Sequence, residues 1–330
     1  MRSRVVVWFA VLLPVLALTL LSINFLDAIA RDGRNLPFLD WFVHTNAVSR
    51  VLSGAPLFDP IQLAGPYSLP QLMPFGWAYP PISIVPLAPF TGTMVGLSGW
   101  LILNLGLFIS GIWAALRRDL GNRVGLPFAL TLTGLLIFPL PFLSGVISAN
   151  ANVAIAGIYA WCWAIGRSEG RIGIVAALAA VIKIYPGALV LWPTGAARRR
   201  SIAMAAAVVI GLTVVSLPIV GLQSWLDFPI ALGNAQLSCG ETRYSVACLL
   251  LPLLGTTGAK AAGVLLGGAF LLGALWTRRD RLAFVLFGAS MLAPVPDMHL
   301  HYWLIAYVAL VVVAGGLYAR WLSRARPHVA

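Results

Sequence analysis

Long apolar runs, separated by short polar and basic segments, are the feature that most constrains how this chain folds. Most of them approach the roughly 20 residues that a helix needs to cross a bilayer. With 60% hydrophobic and only 10% charged residues, the chain carries more apolar surface than one soluble core would bury. The sequence therefore predicts an all-α polytopic membrane protein with about 10 transmembrane helices. The runs lie near residues 5–26, 78–92, 97–116, 125–143, 151–166, 172–197, 201–220, 258–277, 281–296 and 302–320.

Arginines cluster at the ends of these runs, which is the pattern of membrane-orienting charge. A net charge of +12 indicates a nucleic-acid partner only where the basic residues form one patch, so no nucleic acid is expected. The first run follows Arg2 and Arg4, lacks a small-residue cleavage site and is too long for a signal-peptide core. It predicts a retained anchor with a cytoplasmic N-terminus, and an even number of crossings makes the C-terminus cytoplasmic too.

Two long interruptions of the apolar pattern, 27–77 and 221–257, are predicted to be outer loops. Neither is long enough for a separate soluble domain, so residues 1–330 are predicted to form a single transmembrane domain. The second interruption contains Cys239 and Cys248. Their spacing suits a disulfide if the loop faces an oxidising compartment, and two unpaired buried thiols are the alternative.

The middle of the chain allows two arrangements. Ten simple crossings leave the arginines of 117–123 and 167–171 outside, against the positive-inside rule. Alternatively, 78–92 is re-entrant or interfacial and 172–197 is divided into two half-membrane helices, which returns both basic clusters to the inside. Both arrangements keep the two long loops outside, and the sequence leaves the choice open.

Asp40 is an unusual carboxylate for its surroundings. The chain has only 10 Asp and Glu residues, and this one lies in an apolar stretch directly after the first run, where a charge is costly. Apolar residues recur at helical spacing over 41–52, which predicts an interfacial amphipathic helix ending at Ser53 and Gly54. At the N-terminal end of that helix, Asp40 is either a capping carboxylate stabilised by the helix dipole or a reacting group.

Lys183 and Tyr79 are candidates for ligand binding at the membrane surface. Lys183 is one of two lysines and lies inside an apolar run, so it needs a partner such as a lipid phosphate; snorkelling to the interface is the alternative. Tyr79 precedes Pro80 and Pro81. Either its hydroxyl contacts a ligand, or the segment only marks the start of a helix at the two prolines.

Two later polar segments carry further candidates. Asp297, His299 and His301 lie between apolar runs, where the histidines suit donation to a phosphate as well as a surface role. A metal site is not expected, because the chain has no HExxH and no matching cysteine set. Glu241 and Arg243 form either a surface ion pair or a guanidinium site for a phosphate or sugar hydroxyl.

Several short motifs occur in order along the chain. They are Asp40-Trp41-Phe42-Val43-His44, Leu52-Ser53-Gly54-Ala55-Pro56-Leu57-Phe58-Asp59-Pro60, Tyr79-Pro80-Pro81, Asn150 with Asn152, Ile182-Lys183-Ile184-Tyr185-Pro186, and the segment Pro294 to Tyr302. In this order they resemble glycosyltransferase family 87, whose members have the GT-C fold and include polyprenyl-phosphate-mannose-dependent mannosyltransferases. Three departures from the family pattern are His44 in place of Tyr, Ala149-Asn150 in place of Gly-Gln, and Leu300 between the two histidines.

The resemblance implies a GT-C-like bundle with a long first outer loop that carries interfacial helices. It also implies that the acid of that loop, Asp40, is the catalytic base. A polyprenyl phosphate is already a competent leaving group, so such an enzyme needs a base for the acceptor hydroxyl and cations for the phosphate. The candidates for donor phosphate and substrate contacts are Lys183, Arg243, His299, His301, Tyr79, His44, Asn150, Asn152, Glu241 and Asp297.

The activity implied is inverting transfer of a sugar, with mannose as first candidate, from a polyprenyl-phosphate donor to a glycolipid, glycan or glycoprotein. It would take place at the extracytoplasmic face of the cell membrane, without a cofactor or metal. Two other function classes remain open. One is a transporter or flippase for lipid-linked sugars that couples through Asp40 and Lys183, although no internal repeat supports it; the other is a non-catalytic membrane assembly subunit.

Overall fold

The structure is a computed structural model that describes residues 37–68, 72, 76–137, 139–237, 239, 245–296 and 298–324. The predicted anchor at 5–26 lies outside these residues. The described part is helical and contains no strand. Its α-helices are α1 Leu39–Leu52, α2 Pro60–Ala64, α3 Ile84–Leu87, α4 Met94–Leu120, α5 Gly125–Ile137, α6 Pro139–Ile147, α7 Asn152–Ile165, α8 Ile172–Ile182, α9 Gly195–Asn234, α10 Val246–Trp276, α11 Asp280–Leu292 and α12 Trp303–Arg324.

Four helical segments in the described part are long and apolar enough to cross a membrane. They confirm an all-helical membrane protein, whereas the predicted number of about ten crossings is not confirmed. Several of the apolar runs predicted to be single spans contain two shorter helical segments or one short helix. The spanning segments are Met94–Arg123, Gly195–Asn234, Val246–Trp276 and Leu300–Arg324.

The run 172–197 is broken where the alternative arrangement requires it. Helix α8 ends at Ile182, Lys183 has extended backbone angles (φ −137°, ψ 128°), and a 3₁₀ helix follows at Tyr185–Leu191. Pro186 favours this break because it has no N–H to continue an α-helical ladder. Residues 81–90 likewise form three short helical pieces, about 15 Å long at α-helical rise.

Much of the segment 221–257, predicted to be an outer loop, is helical. Helix α9 bends at Gly221 (φ 74°) and continues to Asn234, while α10 begins at Val246 and bends at Gly255 (φ 64°). Proline lies three residues before each bend and interrupts the hydrogen-bond ladder. Cys239, between the two helices, forms a disulfide with Cys248 in the first turn of α10, and their Cα atoms lie 5.4 Å apart.

Helices α4 and α7 cross at very close range and form the rigid centre of the fold. Gly111 and Gly157 lie at the crossing, and a Cβ atom on either would clash with the backbone of the opposite helix. Small residues permit this approach, which is a common way to pack helices within a membrane. Nearly every residue of α7 up to Trp163 is buried, so the turn that precedes this helix has a fixed position.

Candidate active site

The first turn of α1 is docked onto the C-terminal end of α6. The backbone N–H groups of Phe38 and Asp40 donate to the carbonyl oxygens of Ile147 (2.6 Å) and Ser148 (3.0 Å). Phe38 occupies the N-cap position with left-handed backbone angles, and no side chain caps the helix. The capping role considered for Asp40 is therefore wrong, although its carboxylate remains in the first turn, where the helix dipole favours an anion. The predicted helix and its end at Ser53 are confirmed.

The Asp40 carboxylate is held by two side chains from distant parts of the chain. Its Oδ2 accepts a hydrogen bond from Nδ2 of Asn150 (2.7 Å), and its Oδ1 accepts one from the hydroxyl of Tyr79 (3.4 Å). Burial, together with the Asp40 charge, raises the pKa of Tyr79 well above its ordinary value, so this hydroxyl stays a donor at neutral pH. Both oxygens are thus oriented, and the carboxylate itself is only half-buried.

Asn150 also contacts the ammonium group of Lys183. Its Oδ1 accepts hydrogen bonds from Nζ of Lys183 (3.0 Å) and from the backbone N–H of Asn152 (2.8 Å). One amide therefore joins the Asp40 carboxylate to the Lys183 ammonium, and we call these three side chains the acid–amide–lysine chain. Because hydrogen-bonded groups lie on the same side of a membrane, the geometry excludes any arrangement that places Asp40 and Asn150 on opposite sides.

Lys183 is enclosed by aromatic rings. Its ammonium lies 4.8 Å from the ring centre of Tyr302 and 5.5 Å from that of Tyr79, at distances where the ring face attracts a cation. Its Nζ also donates to the Tyr302 hydroxyl at 3.5 Å. An ammonium has three N–H donors, and two of them reach acceptors in the described part of the chain.

Asn152 extends the cluster by one more amide. Its Oδ1 accepts a hydrogen bond from the Tyr185 hydroxyl (2.8 Å), while its buried Nδ2 has no partner among the described residues. A buried donor without a partner is costly, so a ligand oxygen that reached this amide would satisfy it. Tyr185 and Tyr302 pack together with ring centres 5.5 Å apart. Neither tyrosine was among the site residues predicted from the sequence, although Tyr185 follows Lys183 by two residues and Tyr302 directly follows His301.

The two histidines join the cluster through Tyr302. His299 and His301 stack with ring centres 5.5 Å apart, and His301 stacks on Tyr302 at 5.1 Å. His301 is buried, and its Nδ1 lies 3.4 Å from the Ser144 hydroxyl. The described residues contain no group of three or more metal-ligating side chains, so nothing in this part of the chain indicates a metal site.

His44 lies one turn after Asp40 but behind Tyr79 in an aromatic box. Its ring is edge-on to Tyr79, Trp77 and Trp100, with centroids 4.9, 5.7 and 6.3 Å away. Neither ring nitrogen has a hydrogen-bond partner within the described residues. Burial, opposed in part by the Asp40 charge, lowers the pKa of His44 from 6.5 to about 4. The imidazole is therefore neutral at pH 7 and shapes the wall behind Tyr79.

Replacing His44 by Phe is expected to make the protein less sensitive to acid. Above pH 6.5 the imidazole is neutral in both states, whereas between pH 6.5 and about 4 the unfolded chain binds a proton that the folded chain excludes. The native state therefore loses roughly 3 kcal/mol over that interval, and the Phe variant avoids this loss. Thermal unfolding midpoints between pH 7.5 and 4.5 measure the effect, and equal pH dependence of the two proteins would contradict it.

The turn that presents Asn150 contains a strained alanine. Ala149 has φ +54° and is buried, and its carbonyl accepts a hydrogen bond from the Trp100 indole (2.7 Å). A left-handed conformation costs a non-glycine residue about 1–2 kcal/mol. This is also the position where the family pattern has glycine. The left-handed turn at Ala149 places the Asn150 amide next to the Asp40 carboxylate.

Ala149→Gly is expected to raise the stability of the fold by up to about 1 kcal/mol, since relief of the strain exceeds the entropy cost of glycine. Ala151→Gly is the matched control in the same turn. Ala151 has ordinary helical angles (φ −59°, ψ −16°), so its replacement is expected to destabilise. Thermal unfolding in detergent compares the two variants. Equal loss of stability in both would contradict backbone strain at Ala149.

Three residues selected from the sequence lie outside the described residues. They are Glu241, Arg243 and Asp297. The structure brings Asp40, Tyr79, Asn150, Asn152 and Lys183 into one hydrogen-bonded cluster, with His44, His299 and His301 packed around it.

Comparison with protein families identifies the family of this chain. The family described as glycosyltransferase family 87 matches residues 77–295, which is more than half of the chain. The matched region includes Tyr79, Asn150, Asn152 and Lys183, and it begins after Asp40. No curated protein and no solved structure gives a significant match.

Proposed function

The chain belongs to glycosyltransferase family 87, and from this premise we propose that it transfers a sugar from a polyprenyl-phosphate donor to an acceptor hydroxyl, with Asp40 as the general base. The observation that carries the proposal is the acid–amide–lysine chain. It holds an oriented carboxylate and a buried ammonium on the two ends of one amide. A proton acceptor and a phosphate-binding cation at fixed separation are what such a transfer requires.

The reaction that fits this site is a single displacement. The acceptor hydroxyl gives its proton to a carboxylate oxygen of Asp40 while its oxygen bonds to the anomeric carbon of the sugar. The bond from that carbon to the phosphate oxygen breaks, and its electron pair leaves with the polyprenyl phosphate. Lys183 stabilises the charge that develops on the leaving phosphate. Because attack and departure occur on opposite faces, the anomeric configuration inverts.

Other side chains of the cluster position these two groups. Asn150 and Tyr79 hold the carboxylate in one orientation before the acceptor binds, which lowers the entropy cost of the reaction. The unpartnered amide of Asn152 suits a sugar hydroxyl or a phosphate oxygen. His299 and His301 are proposed as further donors to the phosphate, and Arg243 would add a second cation from the segment outside the described residues.

An apolar cavity lined by the sequence neighbours of His299 and Tyr302 supports a lipid-linked donor. It has a volume of about 560 Å³ and lies among α10, α11 and α12. Met298 and Trp303 form its border on the side of the two histidines. We place the prenyl chain of the donor in this cavity and its phosphate at Lys183. Each Å² of prenyl surface that the apolar side chains remove from water would stabilise the complex by about 25 cal/mol.

The proposed location is the extracytoplasmic face of the cell membrane, with both termini in the cytoplasm. The basic residues that flank the spanning helices support this orientation. Arg117 and Arg118 lie in the last turn of α4 and Arg278 follows the end of α10, whereas Trp100, near the start of α4, contacts the turn of the site. Positive charge marks the cytoplasmic end of membrane helices. The proposed acceptor is a glycolipid, glycan or glycoprotein on the outer side, and mannose is the first sugar to test.

The test is a reaction of the purified protein, in proteoliposomes, with a panel of polyprenyl-phosphate sugars and candidate acceptors. The expected result is release of polyprenyl phosphate in an amount equal to the glycosylated product, with one donor sugar preferred. Movement of the donor across the bilayer without any covalent product would contradict the proposal and favour a flippase. Absence of both reaction and donor binding with every sugar would favour a non-catalytic subunit.

A further inference from the structure

A basic cleft lies at the opposite end of the bundle from the Asp40 cluster. It has a volume of about 620 Å³ and is bounded by Arg118 at the end of α4, Arg167 after α7 and Arg278 after α10. From Trp100, which contacts the turn of the candidate active site, to Arg118 the helix α4 rises about 27 Å. The cleft is therefore a separate site near the other membrane surface.

Positive charge in this cleft exceeds the negative charge beside it. Three arginines and one aspartate, Asp280, line it, and that aspartate pairs with Arg167 (3.2 Å). Neither Arg118 nor Arg278 has a carboxylate partner in the described part of the chain. Clustered like charges repel, and an anion placed among them would relieve this repulsion.

Two of the three arginines, Arg118 and Arg167, are held in place by aromatic rings and backbone carbonyls. The Arg118 guanidinium lies 4.6 Å from the ring centre of Trp163 and donates to the backbone oxygen of that residue. The Arg167 guanidinium lies 5.2 Å from the ring centre of Trp192, and its Nε donates to the Trp192 carbonyl (3.2 Å). Guanidinium groups held in this way present their remaining N–H donors in a fixed geometry, which suits phosphate oxygens.

Hydroxyl groups and an apolar edge complete the cleft. Ser168, Thr194 and Thr277 add hydroxyls to its lining, and Leu275 and Trp276 form an apolar wall. Trp276 is 89% exposed, as an amphipathic side chain at a membrane surface often is. The exposed apolar face of α10 continues from this wall through its more N-terminal leucines, which include Leu272 and Leu265.

We propose that this cleft binds the phosphate headgroup of an anionic phospholipid, with the acyl chains lying along the exposed face of α10. The basic cleft opens onto the exposed apolar face of α10. It therefore fits a lipid phosphate better than a free phosphate, because the arginines match the headgroup and the leucines match the acyl chains. The bound headgroup would tie together the ends of α4 and α10 and the segment after α7. The lipid would therefore stabilise the bundle from the side opposite to the reaction.

The test compares charge reversal at two adjacent arginines of the full chain. Arg278 lines the cleft and its neighbour Arg279 does not, while both are exposed, so Arg278→Glu and Arg279→Glu change the net charge equally. Delipidated protein in detergent is titrated with phosphatidylglycerol, phosphatidylcholine, inorganic phosphate or a soluble polyglutamate peptide. The thermal unfolding midpoint is the measurement.

Phosphatidylglycerol is expected to raise the unfolding midpoint of the wild type and of Arg279→Glu, and phosphatidylcholine to have little effect. Arg278→Glu is expected to need at least about tenfold more phosphatidylglycerol for the same shift. Equal responses of the two variants, or equal effects of the two lipids, would overturn the proposal. So would full stabilisation by inorganic phosphate or by the acidic peptide, because the occupant would then not be a lipid.

Discussion

Asp40→Asn is expected to lower the turnover number by about 10²–10⁴-fold, the usual contribution of a general base. Asparagine preserves the size of the side chain and keeps one oxygen that can accept from Asn150, but it has no basic oxygen for the acceptor proton. Donor affinity and thermal stability should change little, since the phosphate is bound by other groups. Turnover of a polyprenyl-phosphate sugar, measured beside donor binding to the same preparation, separates these effects.

Asp59→Asn is the matched control for this experiment. Asp59 lies in the same predicted outer loop (27–77), caps α2 and forms an ion pair with Arg50 at 3.6 Å, so its replacement affects local stability but not the proposed reaction. The control should retain turnover within a few-fold. Wild-type-like turnover by Asp40→Asn would remove Asp40 from the role of base, and loss of donor binding by that variant would make it a binding residue instead.

Lys183→Met is expected to raise the donor Michaelis constant and lower turnover, with a combined loss of about 30- to 150-fold. Methionine fills a similar volume within the aromatic rings but lacks the ammonium. A charge-assisted hydrogen bond to a phosphate contributes roughly 2–3 kcal/mol. Steady-state kinetics at varied donor concentration measure the loss, and Lys183→Arg should recover part of it because it restores the positive charge.

The chain offers a matched control in its other lysine. Lys260 on α10 donates to the carbonyl oxygen of Ala235 (2.7 Å), away from the Asp40 cluster. Lys260→Met therefore removes one lysine charge and one hydrogen bond, and it is expected to reduce stability without changing donor affinity. An equal loss of activity in both variants would contradict a specific phosphate-binding role for Lys183.

Local chemistry made part of the site predictable from sequence. The helix after Asp40 follows from the spacing of apolar residues, and the break at Lys183 follows from a charged residue and a proline within one apolar run. The family resemblance pointed to Asn150 and Asn152 although each motif is short. These features depend on neighbours in the chain, which a sequence pattern records.

Contacts between distant segments were not predictable in the same way. Nothing in the sequence indicates that Asn150 joins Asp40 to Lys183, since this depends on the left-handed turn at Ala149 and on how α1 docks against α6. The helical course of 222–234 was also missed, because a bend at Gly221 looks like a loop boundary when only hydrophobicity is considered. Tertiary packing decides such positions, and single-sequence patterns do not contain it.

The anomeric configuration of the product tests the central claim most directly. If Asp40 removes the acceptor proton while the acceptor attacks the anomeric carbon in one step, the glycosidic bond formed has the opposite configuration to the donor. NMR of the product from a donor of known configuration measures this. Complete inversion is expected. Retention would contradict the role of Asp40, because it requires either an enzyme nucleophile and two displacements or attack on the same face as the leaving phosphate, and neither is a single displacement with Asp40 as the base.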